Sequence, residues 1–129
     1  MRLLVDTHVL LGVIEKRAAE LDPVVKRALE ATDAEFYVSV ASLWEIAIKW
    51  RLAKLKLTVH PSKLPELIGV MGIGLIPIDA SHVLASVDPE PTTRDPFDRL
   101  LLAQCKIEGL HLLTVDRALV THPLAWKAT

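Results

Sequence analysis

Leu3-Leu4-Val5-Asp6-Thr7-His8 begins with three apolar residues in a row and stops at a carboxylate. A short unbroken apolar run marks a strand covered on both faces, as strands in parallel sheets are. Asp6 and Thr7 then suit the cap of a helix from Val9 to about Glu15. The strand-then-helix unit recurs. Phe36-Tyr37-Val38 reads as a second strand, after which Ser39 or Ser42 starts an amphipathic helix through about Leu52. Leu75-Ile76-Pro77-Ile78 reads as a third strand, with Asp79 capping a short helix over Ser81 to Ser86, and Leu112 to Val115 as a fourth. Asp22-Pro23 and Asp95-Pro96 each place a cap and a first-turn proline before a helix. The second of these runs to about Glu108 and ends at Gly109. A further helix is expected from Ser62 to Met71, a loop over Asp88 to Arg94, and an edge strand around Leu124-Ala125-Trp126. Short strands alternating with helices predict an α/β fold with a mainly parallel sheet, in one domain spanning 1–129.

Size and composition bound the rest. A chain of 129 residues, 51% of them hydrophobic, can bury a core without disulfides or metal staples. Its one cysteine, Cys105, excludes an internal disulfide framework and fits a reducing cytoplasm. No apolar run approaches the roughly 20 residues of a membrane span, and Met1-Arg2-Leu3 leads into a strand rather than a signal peptide. A net charge of −1 argues against a protein that stably coats nucleic acid. It leaves room for an enzyme that handles nucleic acid briefly and offsets phosphate charge with metal.

Four acids interrupt apolar segments. Asp6 ends the first strand, Glu45 sits within Leu43-Trp44-Glu45-Ile46, Asp98 opens Leu100-Leu101-Leu102-Ala103, and Asp116 follows Leu112-Leu113-Thr114-Val115. Buried carboxylates are costly unless paired, hydrogen-bonded or bound to metal. In parallel α/β sheets functional groups collect at the carboxyl ends of the strands, where Asp6 and Asp116 fall. A convergent set of four would be an all-oxygen site, which selects Mg²⁺ or Mn²⁺ over zinc. Such ions activate water for attack on a phosphodiester.

Each acid also fits a structural role. Asp6 suits a helix cap, Glu45 can pair with Lys49 one turn on, and Asp116 suits a turn. Asp95, just before Pro96, is the expected cap of its helix, which favours Asp98 as the ligand; the alternative is that Asp95 joins or replaces Asp98 there.

Four segments together resemble the PIN-domain family, in its VapC-type toxin branch. They are Leu3-Leu4-Val5-Asp6-Thr7-His8-Val9-Leu10-Leu11, Ser39-Val40-Ala41-Ser42-Leu43-Trp44-Glu45-Ile46-Ala47-Ile48-Lys49, Arg94-Asp95-Pro96-Phe97-Asp98-Arg99-Leu100-Leu101-Leu102-Ala103-Gln104 and Leu113-Thr114-Val115-Asp116. The likeness runs in order over nearly the whole chain. It implies an α/β/α sandwich and a Mg²⁺- or Mn²⁺-dependent endoribonuclease, with catalytic metal roles for Asp6, Glu45, Asp98 and Asp116 and a polar pocket position for Thr114. It also implies an RNA substrate, a homodimer, and inhibition by a cognate VapB antitoxin lying over the active-site groove.

Around these acids, Lys49, Arg51, Lys54 and Lys56 form a basic stretch that suits either a solvated helix end or phosphate contact. Arg99 and Arg117, each next to a proposed ligand, are the stronger phosphate candidates. Trp44 and Trp50 are expected in a core or interface, and no histidine is assigned a catalytic role. Two other functions compete with the ribonuclease. Phosphoryl transfer through Asp6 would want a second acid two residues on, where His8 stands. A non-catalytic or non-toxin PIN module in an RNA-processing complex would not need the intact acidic set.

Overall fold

The computed structural model describes residues 1–15 and 18–128. Its centre is β1, Arg2–Val5, which pairs in parallel with β2 (Glu35–Ser39) on one side and β4 (His111–Leu113) on the other. β3 (Gly74–Ile76) extends the sheet beyond β2, giving the order β3-β2-β1-β4 with every pairing parallel. In register, Leu4 stands between Tyr37 and Leu112.

The alternation of side chains along β1 sorts the helices into two layers. Leu3 and Val5 enter a core with Val9 and Leu10 of α1 (Thr7–Glu15), Val25 and Ala28 of α2 (Pro23–Glu30), and Leu64 and Ile68 of α4 (Leu64–Val70). Leu4 points the other way, into a core with Leu101, Leu102, Ala103 and Cys105 of α6 (Pro96–Glu108). α3 (Val40–Arg51) contributes Ala41 to the second core and Ile46 to the first, and it contacts both α1 and α6. It therefore bridges the layers at the end of the sheet where β2 finishes. α5 (Ala80–Leu84) packs on α6. The result is the expected α/β/α sandwich.

Cap chemistry sets the helix starts. Asp22, Ser39 and Asp95 each accept a backbone N–H with the side-chain oxygen at the head of α2, α3 and α6. Gly109 closes α6 at φ 70°, a left-handed position that suits glycine.

Several boundaries differ from the sequence expectation. The third strand stops at Ile76 because Pro77 has no N–H to donate. The fourth stops at Leu113 rather than Val115: the Thr114 hydroxyl accepts the Asp116 N–H at 3.1 Å and turns the chain out of the sheet. Asp116 thus lies three residues beyond its strand, not immediately after it. The segment from Ser62 splits into a 3-10 turn, Pro61–Lys63, and α4. The expected edge strand at the tail is reduced to a single parallel bridge between Leu112 and Ala125.

Leu4 is fully buried at the junction of sheet and α6. Leu4→Ala is expected to lower unfolding free energy by about 2–5 kcal/mol, read by urea denaturation, the range for large core truncations.

Candidate functional site

The strand order decides where a site can form. The chain steps from β1 through β2 to β3 on one side, and β4 then returns to the opposite side of β1. This reversal opens a crevice at the carboxyl ends of β1 and β4. Asp6 leaves β1 there, its N–H donating to Leu113 O at 3.1 Å, and the Thr114 turn delivers Asp116 from β4.

A cleft of about 380 Å³ occupies this crevice. All four acids singled out from the sequence, Asp6, Glu45, Asp98 and Asp116, line it, joined by Asp95, Lys49, His8 and Thr7. Their exposure is graded. Asp6 and Glu45 are buried, Asp95 and Asp98 half-buried, and Asp116 is exposed at the rim, so only two of the four are the buried carboxylates their apolar neighbours suggested.

Local hydrogen bonds fix each carboxylate. Asp6 Oδ1 accepts the Val9 N–H at 2.8 Å, capping α1, and the Thr114 hydroxyl bonds its side chain. Asp95 Oδ1 accepts the Phe97 N–H at 2.8 Å, and Asp98 Oδ2 accepts the Thr93 hydroxyl at 3.3 Å. Asp116 Oδ1 accepts the Ala118 N–H at 2.8 Å. Glu45 Oε2 is held by Lys49 Nζ at 2.8 Å. Each of these acids thus has a local hydrogen-bonding or ion-pair partner, and each also lines the cleft.

Crowding leaves an electrostatic mark. Burial first, then the charges of Asp95 and Asp116, push the Asp98 carboxyl up to about 6. Burial likewise raises Asp6, against the hydrogen bonds from Thr114 and Val9. Lys49 is raised, chiefly by its bond to Glu45, with Asp95 and Asp98 adding to it. Carboxylates pushed toward protonation, with oxygen donors from five acids around one cleft, fit a hard divalent cation. No three cleft acids bring their ligand atoms mutually within 4.8 Å.

Among the described residues one trio, Asp79, His82 and Glu108, does meet that limit and could hold a metal ion. Its atoms are already engaged. His82 Nδ1 accepts the Asp79 N–H at 3.1 Å, which places the ring proton on Nε2, 2.8 Å from Glu108 Oε1. The buried ring thus ties the start of α5 to the end of α6.

Other sequence candidates lie off the cleft. Arg99 pairs with Glu90 at 2.6 Å, and neither it nor Arg117 is among the lining residues. Of the basic stretch only Lys49 lines the cleft. Trp44 is 57% exposed, edge-on to Phe97 at 5.4 Å, and Trp50 packs edge-on to His60. Sequence reasoning missed Thr93, whose hydroxyl accepts the Asp95 N–H and donates to Asp98, and the buried Thr7–Ser42 bond of 2.8 Å that ties α1 to α3. A threonine two residues before a capping aspartate was the available signal for Thr93.

Asp98 gives a pH signature in metal-free protein. Its folded value of about 6 exceeds the ordinary 3.8, so the folded state holds a proton there that the unfolded chain releases. The contribution of this group to stability therefore falls as pH rises from about 4 to about 6 and stays low above. In EDTA, Asp98→Asn is expected to be more stable than wild type at pH 7, with the advantage shrinking toward pH 4.5. Urea midpoints at both values measure this, and a constant difference would refute the crowding account.

The PIN domain family model matches residues 3–122. Two solved structures share the fold over nearly their whole length. One is a toxin-antitoxin complex from Klebsiella pneumoniae, with TM-score 0.65 and 19% identity, covering 97% of this chain and 96% of that one. The other is VapBC2 from Rickettsia felis bound to a DNA fragment from their promoter, with TM-score 0.60, 16% identity and the same coverage. No curated protein sequence matches the chain. Because that match spans the strands and the three helices that frame the acidic cleft, the chain belongs to the PIN domain family.

Proposed function

We propose that the protein is a Mg²⁺- or Mn²⁺-dependent endoribonuclease, the VapC-type toxin of a type II toxin–antitoxin pair. The observation that carries this reading is the convergence of Asp6, Glu45, Asp98 and Asp116 on one cleft at the switch point of a PIN-family sheet. Asp6, Glu45, Asp98 and Asp116 would hold the ion, and Asp95 stands behind Asp98 as the cap of α6 and a further negative charge. Held there, a divalent ion would supply an activated water and offset the charge of the scissile phosphate. The chain's own contribution is to hold five carboxylates in place through caps and turns while the cleft stays open to a polyanion. Thr114 and Thr93 orient Asp6 and Asp98 through their hydroxyls.

The two structural neighbours, both toxin–antitoxin assemblies, support a VapB-like antitoxin as partner. A homodimer and a cytoplasmic location belong to the same reading. No helix among the described residues is long and apolar enough to cross a membrane.

Cleavage of total RNA in Mn²⁺ tests the activity. Asp6→Asn and Asp98→Asn are expected to lower the rate by about 1000-fold, the scale of losing one charged group from a preorganised site. Asp95→Asn, which keeps a good cap, should cost only about tenfold, as outer-shell changes do. Wild-type rates in both Asp6→Asn and Asp98→Asn would sink the assignment.

A further inference from the structure

Lys49 is the one lysine or arginine among the residues lining the cleft, on the inner face of α3 one turn after Glu45. Its ammonium sits 2.8 Å from Glu45 Oε2, the carboxylate of a buried side chain, while its own side chain is about half exposed (49%). An exposed (i, i+4) pair is worth little and exchanges readily. This pair is asymmetric: Glu45 is fixed by burial, whereas Lys49 has a long stem and an open side toward the cleft. Glu45 acts on Lys49 most strongly, and Asp95 and Asp98 add to it, so the ammonium also lies within reach of the rest of the acidic wall.

We propose that Lys49 is an exchangeable counter-ion of the cleft: it holds Glu45 where a divalent ion would otherwise be needed, and yields Glu45 when the ion binds. Released from Glu45, the ammonium remains inside the cleft, where a bound substrate's phosphate is an anion it can pair with. One side chain then has opposite effects on two steps. It competes with the ion for a ligand, which weakens metal binding. It adds a positive charge where phosphate charge must be stabilised, which speeds cleavage. Arg99 does not fill this second role, being paired with Glu90 outside the cleft.

The inference rests on the nuclease reading, so its test separates the two. Mn²⁺ affinity of purified wild-type and Lys49→Met protein is measured by calorimetry, and RNA cleavage is measured at saturating Mn²⁺. Lys49→Met is expected to bind Mn²⁺ about tenfold more tightly, since one partly screened charge is removed from a ligand's side. It is expected to cleave on the order of 100-fold more slowly. Its melting temperature without metal should fall, and the rise on adding Mn²⁺ should exceed that of wild type. Lys54→Met removes the same charge beyond the end of α3, outside the cleft lining, and should leave Mn²⁺ affinity unchanged. If Lys49→Met does not fold, Lys49→Gln, which keeps a donor for Glu45 without the charge, carries the same comparison. Unchanged or weaker Mn²⁺ binding would overturn the exchange, and tighter binding with undiminished cleavage would overturn the phosphate role. Wild-type protein that neither binds Mn²⁺ nor cleaves RNA would overturn the nuclease reading and the inference with it.

Discussion

Everything at the cleft depends on β1 lying between β2 and β4. The parallel register that sets Val5 beside Leu113 puts the ends of two strands side by side, and the Asp6 N–H closes the pairing on Leu113 O. From that point α1 and α6 diverge into opposite layers, leaving a gap that Leu11 and Val115 border but do not close. Such a gap exists in any open parallel sheet whose strand order reverses. What distinguishes this chain is that it lines the gap with like charges.

Like charges in a half-buried cleft oppose folding, and the chain offsets them locally. Asp6 caps α1, while Asp95 caps α6 and Asp98 lies in its first turn, so three of the five carboxylates sit at the positive ends of helices. A cap of this kind contributes about 1 kcal/mol, and the helix field adds a fraction of that. Glu45, midway along α3, has no helix end to sit on, and it is the one that takes a lysine. The raised value of Asp98 shows that these devices reduce the repulsion without removing it. The two cores on either face of β1, built from side chains such as Leu4, Leu10 and Leu102 with no exposure, carry the remaining cost.

Much of this was legible in the sequence because the signals are local. The runs at Leu3 and Leu112 gave β1 and β4, Asp-Pro pairs located the starts of α2 and α6, and Gly109 the end of α6. The acids stood out because apolar neighbours frame them, which located all four in the cleft. Where reading failed, the deciding contact was non-local or turned on one side chain. Strand length at β4 hung on the Thr114 hydroxyl, and the tail's reduction to one bridge on its packing beside Leu112. Arg99 looked like a phosphate ligand from its place next to Asp98, but Glu90, nine residues back in a loop, draws it away. Lys49 looked like one of four basic residues along one stretch; the face of α3 separates it from Arg51, and Lys54 and Lys56 lie beyond the end of that helix.

The same logic explains why each acid could be read as a structural residue and as a ligand without contradiction. A carboxylate has two oxygens, and a cap or turn engages one of them: Asp6, Asp95 and Asp116 all accept their backbone N–H on Oδ1. Fixing one oxygen fixes the plane of the carboxylate, so a side chain that repulsion would otherwise swing into solvent is held facing its neighbours. The helix cap is thus what allows the acids to remain a cluster in the absence of a cation. A ligand already immobilised loses little side-chain entropy when an ion arrives. Glu45 is the exception, since no backbone group holds it and its orientation comes from burial and from Lys49. On the proposed reading it is accordingly the ligand whose partner would change when a divalent ion enters.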